Sequence, residues 1–197
     1  MARVAAGRDE IVLAFSGGLG SLLIAALARK RCDLLCVVVG MRGSADVEAA
    51  RVAQMFLDYR LAILRPSPSQ ALRAARRIAA SGYPIPLAEC LALVPLALVE
   101  ARQPESLVLS GAGLTARTSS LRRALGEREA LSPGLRLRLG GLGRRPLLRM
   151  AEAAGLPESF ALAAPRSPLE GSGIGPVLRA MARRRGMSVP RLVSAHE

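Results

Sequence analysis

Five apolar residues, Ile11-Val12-Leu13-Ala14-Phe15, are joined to a second apolar run, Leu22 to Ala28, by Ser16-Gly17-Gly18-Leu19-Gly20-Ser21. The first run is short and bounded by turn residues, as a fully buried strand is. The second is longer and rich in Ala and Leu, and the cations Arg29-Lys30-Arg31 that follow it suit a helix C-terminus. The join is therefore a glycine-rich turn from strand to helix. Amides at a helix start are unpaired and point outward, and glycine lets a ligand come close to them. That arrangement binds phosphate.

The rhythm then repeats. Leu34 to Val39 reads as a second buried strand ending at Gly40, and Leu61 to Leu64 as a third, closed by Pro66 and Pro68. Between them Ser44 is an N-cap, with Asp46 and Glu48 in the first turn of a helix over 45–58. Ala45, Ala49, Val52, Ala53 and Phe56 form its apolar stripe. Ser69 to Ala80 is a basic amphipathic helix with Arg73, Arg76 and Arg77 on its polar side, and Tyr83-Pro84-Ile85-Pro86 is a rigid connector. Leu87 to Ala101 reads as one apolar helix with a kink point at Pro95. Ser106 to Ser110 is a fourth strand, followed by Gly111-Ala112-Gly113. Thr118 to Arg128 is a further helix, and Leu135 to Leu139 alternates like an edge strand. A helix runs from Arg144 to Ala154 with Gly155 as its cap, and Pro176 to Arg185 is the last helix before a tail over Ser188 to Glu197.

Strands alternating with helices predict the α/β class: a doubly wound, mostly parallel sheet of about five strands, helices on both faces, and a helical C-terminal part. The expected organisation is one domain over 1–197, with an α/β core at 11–130, a helical extension at 131–185 and a tail at 186–197. In such a sheet with a central first strand, the ends of strands one and four flank the switch point, so the two glycine-rich loops face one cleft.

Composition narrows the function classes. Hydrophobic residues make up 51% of the 197, so the chain is not disordered, and aromatics only 3%, so the core is built from Leu, Ala and Val. The longest apolar stretch, Leu91 to Val99, contains Pro95 and stops at Glu100, too short to span a bilayer. With no long apolar N-terminal segment either, a cytoplasmic protein with no membrane partner is expected. The net charge of +13 invites RNA, but Lys30 is the only lysine among 28 basic residues and the arginines are spread through most helices. A solvated surface is the plainer reading and tRNA or other RNA the alternative. Cys32, Cys36 and Cys90 form no C-x-x-C, and the single histidine, His196, is at the C-terminus, so buried reduced thiols are expected in place of a metal site.

The loop Ser16-Gly17-Gly18-Leu19-Gly20-Ser21 resembles the S-G-G-x-D-S motif of the PP-loop ATP pyrophosphatases, the superfamily of asparagine synthase, argininosuccinate synthase, GMP synthase and several tRNA-modifying enzymes. Five of its six positions match, counting the free one; the family's magnesium-binding aspartate is Gly20 here. Leu109-Ser110-Gly111-Ala112-Gly113-Leu114-Thr115-Ala116 is similar to the asparagine synthase segment Leu-Ser-Gly-x-Gly-x-Asp-Glu, with Thr115 and Ala116 at the acids. Arg144-Arg145-Pro146-Leu147-Leu148-Arg149 resembles Arg-x-Pro-Phe-Leu-Asp, again without the acid. The resemblance implies a fold of the HUP/PP-loop type. It implies ATP or AMP as ligand, with polyphosphate held by Ser16, Gly17, Gly18, Leu19, Gly20 and Ser21, adenine seated by backbone at Val39 and Gly40, and Ser110, Gly111 and Gly113 on the facing loop. Arg166, ahead of Glu170-Gly171-Ser172-Gly173, stands near the family's lysine and is the one catalytic candidate.

Adenylation expels pyrophosphate from the α-phosphate, and its charge is normally met by Mg²⁺ on carboxylates. The chain keeps the amides but not those acids; Asp33, Asp46 and Asp58 are read as not sitting at the strand ends that face the cleft. Met1 is not followed by a cysteine and no further domain precedes the loop, so a complete glutamine-dependent asparagine synthase is not expected in this chain. Three functions remain: a nucleotide-binding, asparagine-synthase-like domain with weakened or lost Mg-dependent adenylation, an active AMP-forming amide or tRNA-modifying enzyme, or an RNA- or protein-interaction subunit that keeps only the fold. A homo-oligomer or partner subunit is compatible with each.

Overall fold

The computed structural model describes residues 10–82, 85–112, 125, 135–137, 144–162 and 167–195. The chain alternates β1 (Glu10–Phe15), α1 (Leu19–Ala28), β2 (Asp33–Val39), α2 (Ala45–Gln54), β3 (Arg60–Leu64) and α3 (Pro68–Ala79). Next come α4 (Leu87–Leu91), α5 (Val94–Arg102), β4 (Val108–Ser110) and β5 (Leu135–Leu137). Five helices follow: α6 (Arg144–Ala153), α7 (Glu158–Leu162), α8 (Pro168–Gly171), α9 (Ile174–Arg184) and α10 (Val189–Ser194).

The body of the sheet is parallel, in the order β3-β2-β1-β4, and the three-residue β5 pairs in parallel along β4. Side chains alternate across it. Val12, Val37, Val39 and Val108 pack with α3, α4, α5, α9 and α10 on one face. Ile11, Leu13, Phe15, Cys36, Val38 and Leu109 pack with α1, α2 and α6 on the other. With helices on both faces, Ile11, Val12, Leu13 and Phe15 of β1 are buried, and each fully buried Leu, Ile or Val contributes about 1.5–3 kcal/mol.

Local chemistry explains the helix starts. The Ser44 hydroxyl accepts the Val47 N–H at 3.2 Å, as an N-cap should. Ser67 and Gln70 form a reciprocal capping box around Pro68 in the first turn of α3, so this helix begins ahead of the Ser69 expected from sequence. The apolar stretch from Leu87 breaks into α4 and α5, where a single kinked helix was expected. Pro95 cannot donate a mid-helix bond and takes the first turn of α5 instead. The segment read as a tail folds into α10, with Leu192 and Val193 buried against α3 and α9. Most of the predicted helix over Thr118 to Arg128 lies outside the described residues.

One face was misread. α2 ends at Gln54 and buries Asp46, Val47, Ala50 and Ala53, whereas Val52 and Phe56 of the expected stripe are 47% and 57% exposed.

Candidate polyphosphate-binding site

α1 starts at Leu19, so Leu19, Gly20 and Ser21 are its first turn and the loop proper is Ser16-Gly17-Gly18. Gly18 is the N-cap, extended at φ −76° and ψ 157°, and its carbonyl receives the Leu22 N–H at 3.0 Å. Among the described residues no side chain caps the helix. The N–H groups of Leu19, Gly20 and Ser21 find no hydrogen-bond acceptor among the described residues. The Ser21 hydroxyl accepts the Ser16 N–H at 3.4 Å and donates to the Gly18 carbonyl at 2.9 Å, which ties the loop to the helix it opens. Gly17 has φ +66° and lies against the Ala49 methyl of α2, two separate reasons for glycine at that position.

The second glycine-rich segment meets the first, as neighbouring β1 and β4 require. A Cβ on Gly111 would lie 2.5 Å from the Gly20 carbonyl carbon and 2.6 Å from the Ser21 nitrogen. Ser110 ends β4 and its hydroxyl accepts the Ala112 N–H at 3.2 Å. Gly17, Gly20 and Ser21 are buried, while Gly18 is exposed and Ser16 and Leu19 partly so. The accessible seat is therefore narrower than the six residues of the motif. Gly113 and Arg166, the other candidate residues, lie outside the described residues, as do Thr115 and Ala116.

The end of β2 is tied to β3 and to the C-terminal part of the chain. The Gly40 N–H donates to the Leu64 carbonyl at 3.0 Å, and the Met41 N–H to the Ser172 carbonyl at 2.8 Å. The Ser44 hydroxyl, besides capping α2, donates to the Gly171 carbonyl at 2.9 Å. Side chains at Gly171 and Gly173 would strike the Asp46 carboxylate and press on Met41. Gly171-Ser172-Gly173 thus clasps the β2–α2 turn. Val39 and Gly40 were expected to hold adenine through backbone groups. The amides of Gly40 and Met41 are paired within the protein.

The clasp is braced from outside. Arg179 of α9 grips Glu170 through both guanidinium nitrogens, at 2.6 and 2.8 Å. Arg179's hydrogen bonds hold the Glu170 carboxyl below its ordinary range. The pair is about half exposed, so Glu170→Gln should cost no more than about 1 kcal/mol near neutrality. A carboxyl depressed on folding stabilises fully above its unfolded value, roughly 4.3, and stops doing so as pH falls through its lower folded value. Urea unfolding should accordingly separate wild type from Glu170→Gln at pH 7 and bring the two together in strong acid.

Among the described residues no group of three or more His, Cys, Asp or Glu could hold a metal ion. Asp33 opens β2 at the opposite, amino-terminal end of the strands, where Arg60 bridges it at 2.8 Å and also pairs with Glu10. Asp46 sits in the first turn of α2, 4% exposed and against Gly171. Within the loop, Gly20 occupies the motif's acidic position. The three cysteines are free thiols; burial pushes the Cys36 thiol far above its usual range, which leaves it inert. No described helix is long and apolar enough to cross a membrane.

These features define an α/β fold with a parallel sheet and a glycine-rich turn at the carboxyl end of its central strand. The same fold occurs in NMN synthetase from Francisella tularensis, with a TM-score of 0.54 and 15% identity over 96% of this chain and 77% of that one. The NH3-dependent NAD synthetase from Campylobacter jejuni, solved with a nitrate ion, gives 0.53 and 18% over 96% and 82%. A predicted subunit of tRNA methyltransferase from Methanocaldococcus jannaschii gives 0.50 and 17% over 93% and 91%. No protein family and no curated protein matches the sequence. At these identities the likeness is one of fold.

Proposed function

We propose that this chain is a PP-loop, asparagine-synthase-like protein that binds an adenine nucleotide by its polyphosphate at residues 16–21, with weakened or lost Mg-dependent adenylation. The reading rests on one observation: the amides of Leu19, Gly20 and Ser21 open a ten-residue helix with neither side chain nor carbonyl to satisfy them among the described residues. The positive end of the helix dipole adds to them. Ser110 and Gly111 close the facing side. The fold shared with NMN and NAD synthetases agrees with a nucleotide ligand.

Magnitudes limit the affinity. Two or three hydrogen bonds to a charged phosphate supply about 3–9 kcal/mol, against an association cost of about 4 kcal/mol or more. Weak binding, on the order of 0.1–1 mM, is expected. The donor set at the loop does not fit Mg²⁺, which takes oxygen ligands, usually one or two carboxylates along with phosphates. The loop's own part is to bind and orient the polyphosphate.

Calorimetric titration with ATP, AMP and pyrophosphate, each with and without Mg²⁺, tests this. ATP and pyrophosphate should bind without magnesium. Magnesium-dependent binding with pyrophosphate release would instead make the chain an active AMP-forming enzyme. Absence of any nucleotide binding would leave a subunit that keeps only the fold.

A further inference from the structure

The arginines are not evenly distributed over the folded chain. α3, α9 and α10 pack on one another on a single face of the sheet, and the Arg76 guanidinium joins two of them by donating to the Leu192 carbonyl at 3.4 Å. Residues 68–79 and 174–194, the three helices of this face, carry eight arginines and no Asp or Glu; α4 and α5 beside them in the same layer add Arg102, Glu89 and Glu100. On the opposite face α1, α2 and α6 carry four arginines balanced by Asp46, Glu48 and Glu152. A compositional preference for arginine would load both layers alike. One or two cations at a helix C-terminus are explained by its dipole; three adjoining helices without a single acid are not. Arg73, Arg77, Arg183, Arg184, Arg185 and Arg191 are all exposed, and none has a carboxylate within ion-pair distance among the described residues.

We infer that the face formed by α3, α9 and α10 binds the phosphodiester backbone of a nucleic-acid duplex. Guanidinium groups fork onto phosphate oxygens bidentately. These helices contain no Phe, Tyr or Trp, so the face offers no aromatic ring on which to stack the splayed bases of a single strand. A duplex offers its phosphates on the outside and needs no stacking. The face also lacks what a bilayer surface asks for: the large exposed hydrophobics among the described residues, Val52, Met55, Phe56 and Met150, are all on or beside the helices of the other layer. The inference is independent of the nucleotide reading of the loop.

Fluorescence anisotropy with labelled RNA duplex, DNA duplex and single-stranded RNA, and flotation with phosphatidylserine vesicles, tests it. Duplex should bind more tightly than single strand. If four to six phosphates are neutralised, the logarithm of affinity should fall with the logarithm of salt at a slope of about 4–5. Arg77→Glu/Arg183→Glu/Arg184→Glu should lose duplex affinity at least about a hundredfold at low salt. The matched variant Arg51→Glu/Arg145→Glu/Arg149→Glu on the opposite layer should lose less than about tenfold. A preference for RNA over DNA duplex would identify A-form geometry as the feature read, and equal binding the backbone charge alone; both support the inference. Equal losses in the two variants, tighter binding of the single strand, vesicle binding without duplex binding, or no duplex binding at low salt would each overturn it. Thermal melts of both variants establish that the fold survives the substitutions.

Discussion

Gly17→Ala should destabilise the protein by about 2–5 kcal/mol, a large part of the roughly 5–15 kcal/mol that holds a domain together. Two costs combine. A non-glycine residue at φ +66° pays about 1–2 kcal/mol for the left-handed conformation. The new methyl also falls within the van der Waals envelope of the Ala49 methyl, and overpacking of this kind costs about 1–3 kcal/mol. A double-mutant cycle separates the two. Ala49→Gly removes the methyl that is struck but leaves the backbone angle unchanged, so the pair should show a coupling of about 1–3 kcal/mol while the remainder of the Gly17→Ala penalty persists. Urea unfolding of the four proteins reads this directly. If Gly17→Ala were neutral, the loop would not be seated on α2 as described.

The same contact shows which parts of the structure were legible in sequence. Strands β1 to β4 announced themselves because each is a short apolar run, and helices alternating with them give a parallel sheet with right-handed crossovers. That two glycine-rich segments meet, Gly111 on the Gly20–Ser21 peptide, followed from the same topology. The orientation of α2 did not. Its sequence offers two overlapping stripes, and the one actually buried contains Asp46. Binary patterning argues against burying a carboxylate, so it favoured the stripe ending in Phe56; that ring instead lies half-exposed, edge-on to Phe160 at 5.2 Å. What overrode the pattern is tertiary. Gly171-Ser172-Gly173 comes down on the β2–α2 turn, and its bond to Ser44 spans 127 residues. No periodicity reports a contact of that range. The start of α1 at Leu19 was equally hidden, because Gly20 in a first helical turn looks like more loop until Gly18 is seen as the cap.

Gly18→Asp should stabilise the ligand-free protein and at the same time abolish most of its affinity for polyphosphate, by at least about tenfold, or 1.4 kcal/mol. Space is available: Gly18 is exposed and extended, and a Cβ there meets only the Ser16 hydroxyl, at 3.4 Å. Asp is among the preferred N-cap residues, and its carboxylate reaches the second and third amides of the helix, here Gly20 and Ser21. The gain over glycine is a few tenths of a kcal/mol from the hydrogen bonds and about 0.3–1 kcal/mol from the dipole. A phosphate arriving from solution then meets amides that are already satisfied and a like charge beside them. Gly18→Asn caps without the charge, so it should stabilise less and weaken ATP less, which separates competition for the amides from repulsion. Opposite signs for stability and binding, from thermal melts and ATP titration of the same three proteins, are hard to obtain unless ligand and carboxylate compete for one set of N–H groups. ATP affinity unchanged in Gly18→Asp would move the nucleotide away from this loop, whatever the fold resembles.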